Sequence, residues 1–249
     1  MKKSTIIIVL LVLVLAFSFA QGTNESTVKK YVIASDATWP PLEFVDEAGE
    51  LTGFEVELIQ QIAEVTGTEI EVKNTAWDSI FAGLANGAYD GIASGVTITE
   101  DRKNIMDFAD PFMNCGQVVI VPVESSITGV DDLIGMKIGV QMGTTGDIAL
   151  DDYDVKKSQY DEINLALIDL VNGNLDAAVC DSLVASEYVL QDSSYSGILK
   201  IVGEPFTTEE IAMCVQKGNT ELLSILNDGM KTLEENGTMT ELKAKWGIY

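Results

Sequence analysis

Histidine is absent from all 249 residues, and that single absence removes much chemistry. Ser-His-Asp and Cys-His catalysis need an imidazole as base, and most zinc and copper sites need one as ligand. Cysteine is scarce as well. Cys115, Cys180 and Cys214 are too few and too scattered for a disulfide scaffold or a CxxC zinc site. One pair could bridge, which would leave a third thiol over. No metal and no cofactor is expected. Basic residues number 15 against 39 acidic ones, for a net charge of −24. So acidic a chain argues against nucleic acid and anionic membranes as partners. The acids are interspersed with apolar residues, which excludes a disordered acidic tail.

Long apolar runs are also lacking, with one exception at the start. Lys2 and Lys3 precede an apolar stretch over 6–19, broken only by Ser18, and Ala20 follows. A basic start, an apolar middle and a small-residue exit form a secretory signal, with cleavage expected before Gln21. The competing reading is a retained anchor, because the run nears the lower length of a spanning helix. No cysteine stands at the exit to carry a lipid. Residues 21–28 read as a flexible leader, so the mature chain is expected to be soluble and extracytoplasmic. The remaining length suffices for one large or two small domains.

What is there is an alternation of strand and helix patterns. Short β-type runs at 31–34, 69–72, 90–96, 137–140 and 177–180 are followed by helical spacings at 57–65, 77–86, 143–150, 163–172, 182–190, 220–235 and 239–246. Such alternation indicates an α/β protein with mainly parallel sheets. Two stretches, 115–122 and 202–215, read as extended crossovers that bracket the middle third. If both connect lobes, one lobe is built from both ends of the chain and the other from the middle. Ligands in open α/β sheets bind outside the carboxyl ends of the strands, and four polar clusters here follow strands.

The first cluster, Asp36 to Pro41, pins an acid and the indole of Trp39 in a loop fixed by Pro40 and Pro41. It is either a surface turn with Trp39 capping the core or an aromatic platform for a ligand. The second runs from Ser94 to Arg102. Thr99 can cap a helix beginning at Glu100, and Arg102 offers a planar fork suited to a carboxylate or to a surface acid. The third is Gly143-Thr144-Thr145-Gly146-Asp147, a glycine turn whose N–H groups suit an anion; without a GK[ST] ending it is no phosphate loop. The fourth is Asp181, at the end of the strand AAVCD, either a helix cap or a counter-charge for an ammonium. Cys180 beside it reads as core.

In this order the clusters resemble the bacterial and archaeal extracellular solute-binding proteins for polar amino acids, over about 31–246. The most specific match is Gly53-Phe54-Glu55-Val56-Glu57-Leu58 with Ile62-Ala63, similar to the signature G-F-[DE]-[LIV]-[DE]-[LIVM]-x3-[LIVMA]-[AGV]. Thr66 departs from that signature. Thr97 to Arg102 with Asp107-Phe108, Val140 to Thr145, and Leu242 to Trp246 also resemble family segments. The resemblance implies a two-lobed periplasmic-binding-protein-like fold of type II, each lobe a mainly parallel sheet flanked by helices, joined by two hinge crossovers. Lobe 1 would comprise 29–116 plus 209–249, and lobe 2 would comprise 117–208, after a signal at 1–20 and the leader at 21–28.

It also implies jobs. Arg102 would bind the α-carboxylate, helped by Thr97 and the N–H groups of Thr144 and Thr145. Asp181 would take the α-ammonium, with the Gly95 carbonyl and the Thr97 hydroxyl as further acceptors. Trp39 and Trp77 would sandwich the side chain. Asp36, Ser94, Gln141 and Met142 would face its variable end, with Glu43 and Glu55 as specificity residues. The expected function is a monomeric amino-acid receptor of an ABC importer, serving a permease and its ATPase, meeting the membrane only through the permease, and leaning to arginine or lysine. The alternatives are a cyclohexadienyl-dehydratase-like enzyme on the same fold and a stand-alone amino-acid sensor. A fused sensor is not expected, since no linker follows to Tyr249.

Overall fold

A computed structural model describes residues 29–248; the expected signal and leader lie outside the described residues. The chain builds two five-stranded sheets. One combines Lys30–Ser35 (β1), Glu69–Asn74 (β5), Gly91–Ile92 (β6), Met106–Phe108 (β7) and Cys214–Gln216 (β15), in the order β5-β1-β6-β15-β7. The strands β5, β1 and β6 are parallel, and β15 runs antiparallel between β6 and β7. The other combines Gln117–Pro122 (β9), Lys137–Gln141 (β10), Lys156–Tyr160 (β11), Ala177–Asp181 (β12) and Leu199–Val202 (β13), in the order β11-β10-β12-β9-β13. Here β11, β10 and β12 are parallel, and β9 runs antiparallel to β12 and β13. Each sheet is therefore a parallel core closed by a returning strand.

The chain passes between the sheets twice. The ribbon of Met113–Cys115 (β8) and Glu209–Ile211 (β14), antiparallel to each other, carries both passages. A small sheet of Thr38–Trp39 (β2), Glu43–Val45 (β3) and Leu51–Thr52 (β4) packs on the helix that follows it, Phe54–Thr66.

Helices cover the sheets with their apolar stripes. Phe54–Thr66 (α1) packs against Thr220–Asn236 (α7) and Thr238–Trp246 (α8). Its first turn has no side-chain cap; the N–H groups of Phe54 and Glu55 donate instead to the Pro41 and Leu42 carbonyls at 2.9 Å each. That bond pair fixes the proline loop to the helix. It also explains why α1 begins three residues before the apolar spacing at 57–65 suggests. At the far end Gly67, at φ 65, closes the helix, and Thr68 N–H reaches the Ala63 carbonyl. The departing Thr66 donates its hydroxyl to the Ile62 carbonyl at 2.7 Å, so the polar residue is satisfied within the last turn.

Trp77–Ala85 (α2) lies on β1, β6 and β15, while Ile163–Val171 (α5) buries Ile163, Ala166, Leu167 and Leu170 against β10, β11 and β12. Three short helices complete the set: Glu100–Ile105 (α3), Thr145–Ala149 (α4) and Ser182–Ser186 (α6).

Two expectations change. The apolar run at 90–96 pairs as a strand only over Gly91–Ile92. Gly95 takes φ 55, which breaks the extended backbone and turns Ser94 and Gly95 out at the strand end. The helix expected over 182–190 stops at Ser186 and widens into a π turn over Glu187–Gln191. Among the described residues no helix is long and apolar enough to cross a membrane.

Candidate functional site

The polar clusters meet where the two sheets face each other. Asp36, Trp39, Trp77, Ser94, Gly95, Thr97, Arg102, Gln141, Thr144, Thr145 and Asp181 line one cavity. Its walls come from both sheets: Asp36, Ser94 and Gly95 follow β1 and β6, Gln141 and Asp181 end β10 and β12, and α3 and α4 contribute Arg102 and Thr145.

Arg102 is the only arginine in the sequence. Thr99 caps α3 by accepting the Arg102 N–H at 3.1 Å, which sets the side chain at the helix start. One guanidinium N–H bonds the Thr97 carbonyl at 3.0 Å, and another bonds the Gly143 carbonyl across the cleft at 3.3 Å. Its flat face lies 4.9 Å from the Phe81 ring and 5.5 Å from the Trp77 ring. A guanidinium has five N–H donors, so three stay free of these two bonds. No carboxylate pairs with it among the described residues. Burial lowers its affinity for its proton, offset by the charges of Asp181 and Glu209. A buried, unpaired, oriented cation is a receptor for an anion.

Asp181 is its counterpart. The carboxylate accepts the Gln117 amide at 2.6 Å and the Trp39 indole N–H at 3.2 Å, the latter from across the cleft. Burial raises its pKa to about 6, with the Glu209 charge adding to the rise. Asp36 lines the same cavity. It accepts the Gln141 amide from across the cleft at 3.1 Å and the Thr38 hydroxyl at 3.1 Å, and burial lifts its pKa to about 6. The cavity thus holds two carboxylates and one guanidinium.

Three expected residues sit elsewhere. Met142 is 41% exposed and does not line the cavity. Gln141 turns inward at the end of β10, so its neighbour turns out by strand alternation. Glu43 and Glu55 are fully buried behind the wall, not in it. Glu43 accepts the Ser94 hydroxyl at 3.0 Å, and Glu55 accepts the Gly95 N–H at 2.6 Å. From β3 and α1 both acids reach Ser94 and Gly95 from behind, which puts them beneath the residues they were expected to join. All three cysteines are free thiols.

Two residues went unread in the sequence. Gln117 opens β9, and Glu209 opens β14; both are buried just behind Thr97, Thr145 and Asp181. The available signal for Glu209 was an acid inside an otherwise strand-like crossover.

The family model for bacterial extracellular solute-binding proteins, family 3, matches residues 31–248. A probable histidine-binding protein from Neisseria gonorrhoeae is 36% identical over 88% of this chain and 83% of its own length. The L-cystine-binding protein TcyJ from Escherichia coli is 32% identical over 92% of this chain and 88% of its own. Among solved structures, the arginine-, lysine-, histidine-binding protein ArtJ from Geobacillus stearothermophilus superposes with a TM-score of 0.82. It is 33% identical, covering 88% of this chain and 95% of that one.

Proposed function

The chain belongs to the bacterial extracellular solute-binding proteins, family 3, and from that premise we propose that it is the extracytoplasmic receptor of an ABC importer for amino acids with a cationic side chain. One observation carries the choice of ligand: the cavity presents two carboxylates and one guanidinium. A zwitterion with a cationic side chain presents the complement, two cations and one carboxylate. Arg102 takes the α-carboxylate, with the backbone N–H groups of Thr97, Thr144 and Thr145 around it. Asp181 takes the α-ammonium beside the Gly95 carbonyl. Asp36, with Ser94 and Gln141 near it, takes the side-chain cation, and Trp39 and Trp77 line the stem. A neutral amino acid would leave Asp36 without its counter-charge, and an acidic one would meet it with repulsion. Relatives named for histidine and for arginine, lysine and histidine fit this reading.

Residues 29–116 with 209–249 form one lobe and 117–208 the other. The β8–β14 ribbon is the hinge between them. A ligand bridging Arg102 and Asp181 touches both lobes and so favours the closed form, since only differential contacts shift such an equilibrium. The closed monomer then docks on a permease driven by its ATPase, the one contact with the membrane.

Binding rather than catalysis is supported by the bonding of Asp181. Its donors, the Gln117 amide, the Trp39 indole and the Cys115 thiol, stabilise the carboxylate, whereas a dehydratase would need a proton donor there.

A thermal-shift screen of the twenty amino acids tests the reading. At a concentration of 100 Kd a ligand adds about 2.7 kcal/mol, which for this size raises Tm by roughly 5–11 °C. Arginine and lysine are expected to give the largest shifts. No shift with any of the twenty, or the largest one with aspartate or glutamate, would overturn it.

A further inference from the structure

The cluster behind the cavity holds Cys115, Asp181 and Glu209 with ligand atoms within 4.8 Å of one another. A cation has no place among them, because the Gln117 amide occupies the centre as a donor. Its nitrogen lies 2.6 Å from Asp181, 3.2 Å from Glu209 and 3.2 Å from the Thr145 hydroxyl. What the cluster does instead follows from its proton count.

Glu209 accepts the Thr207 hydroxyl at 2.6 Å, the Thr145 hydroxyl at 2.7 Å and the Thr97 hydroxyl at 2.8 Å, besides the Gln117 amide. Every group around it donates, and no Lys or Arg pairs with it among the described residues. A hydroxyl carries one proton and two lone pairs. Thr97 and Thr145 line the cavity from opposite lobes, with their hydroxyls 3.2 Å apart, close enough for either to donate to the other; the shorter bonds to the Glu209 carboxylate, at 2.8 and 2.7 Å, are the stronger, so each proton goes to Glu209. They therefore show only lone pairs to the ligand, and Thr145 only one, since its other takes the Gln117 amide.

We propose that Glu209 is a positioning residue that turns the Thr97 and Thr145 hydroxyls into acceptors, and so completes the ammonium subsite around Asp181. The inference rests on the amino-acid reading above and deepens it. The threonines support the ammonium rather than the carboxylate, which is left to Arg102 and the backbone N–H groups. Through Gln117 the same carboxylate orients Asp181. Because Glu209 joins hydroxyls from both lobes, its bonds are complete only when the lobes are closed.

The test compares L-arginine with its 2-hydroxy analogue, which keeps the carboxylate and the guanidinium but replaces the ammonium. Calorimetric Kd values are measured for the native chain, Glu209→Gln and Glu209→Asp. The native chain is expected to prefer L-arginine by at least a hundredfold. Glu209→Gln brings an amide N–H that forces one threonine to turn its proton toward the ligand, and it is expected to cut that preference at least tenfold. Glu209→Asp retains an acceptor and recovers part of it.

A pH profile gives a second reading that a merely structural role would not move. The titratable groups facing Asp181 are Glu209, Cys115, Cys180 and Arg102. Removing the Glu209 charge relieves part of the rise in the Asp181 pKa, so the acid limb of arginine affinity moves to lower pH in Glu209→Gln. Should Glu209→Gln fail to fold, Thr207→Val loosens the same carboxylate, and the preference is read there. An unchanged preference and an unmoved acid limb would overturn the proposal. No arginine binding by the native chain would instead overturn the reading on which it rests.

Discussion

Replacing Glu55 by Gln should make the stability of this protein less sensitive to alkali. Glu43 and Glu55 lie fully buried, within hydrogen-bond reach of each other. Glu43 Oε2 and Glu55 Oε1 have no hydrogen-bond partner among the described residues. Two buried carboxyl groups so placed cannot both ionise, and at least one proton stays with the pair. Burial raises the Glu55 pKa to about 7 from 4.5, partly offset by bonds from Gly95 and Glu43. An acid whose folded pKa is raised stabilises the fold while it is protonated. That contribution is whole below pH 4.5 and disappears as pH climbs to about 7. The difference of about 2.5 units corresponds to roughly 3 kcal/mol at about 1.4 kcal/mol per unit.

Gln at position 55 keeps the acceptor for the Gly95 N–H and gives Glu43 an amide donor, without a charge to desolvate. The assay is thermal unfolding of both proteins from pH 4 to 8, followed by circular dichroism. The variant should gain on the native chain by roughly 3 kcal/mol across pH 4.5–7, which is about 6–12 °C in Tm at this size. Parallel stability curves would refute the reasoning, because they would mean that Glu55 titrates alike in the folded and unfolded chains.

Other consequences follow from the same geometry. Arg102→Ala removes the one cation of the cleft and should weaken every amino-acid ligand alike, by about 2–5 kcal/mol in calorimetry. A variant of normal affinity would show that Arg102 is not the carboxylate anchor. Gly95→Ala places a methyl 3.0 Å from the Trp39 ring at a backbone φ of 55. It should push the indole off Asp181 and weaken binding at least tenfold, and an unchanged Kd would speak against Trp39 as part of the wall. Affinity for arginine should fall as pH drops below about 6, where Asp36 and Asp181 take up protons. Below that point the loss approaches tenfold per pH unit for each acid, and a flat profile from pH 7 to 5 would contradict both assignments.

Much of this architecture was legible because local chemistry and position agree. The strand AAVCD, entirely buried, could only be a central strand, and its terminal acid had to emerge at the sheet edge. Thr99 announced the start of α3 and with it the place of Arg102. The edge strand Lys156–Tyr160 was not legible, since KKSQY carries no apolar alternation and pairs on one side only. Nor was Met106–Phe108, too short to show a period.

In the site, the residues that follow strands were readable from topology, since strand ends deliver them to one cleft. Glu43 and Glu55 misled because acids near a ligand-binding motif resemble wall residues, while their direction depends on how α1 seats against the proline loop. Gln117 and Glu209 stayed hidden for the opposite reason. Their partners lie 64 and 112 residues away in sequence, as with Asp181 and Thr97, and only the fold brings them together.

The central claim is that one cavity reads both ends of a free amino acid, and analogue calorimetry tests it most directly. L-arginine, its Nα-acetyl derivative and L-argininamide differ only in the ammonium or the carboxylate. The account predicts tight binding of L-arginine and a loss of at least a hundredfold for each of the other two. Equal affinity for argininamide or for the acetyl derivative would contradict it.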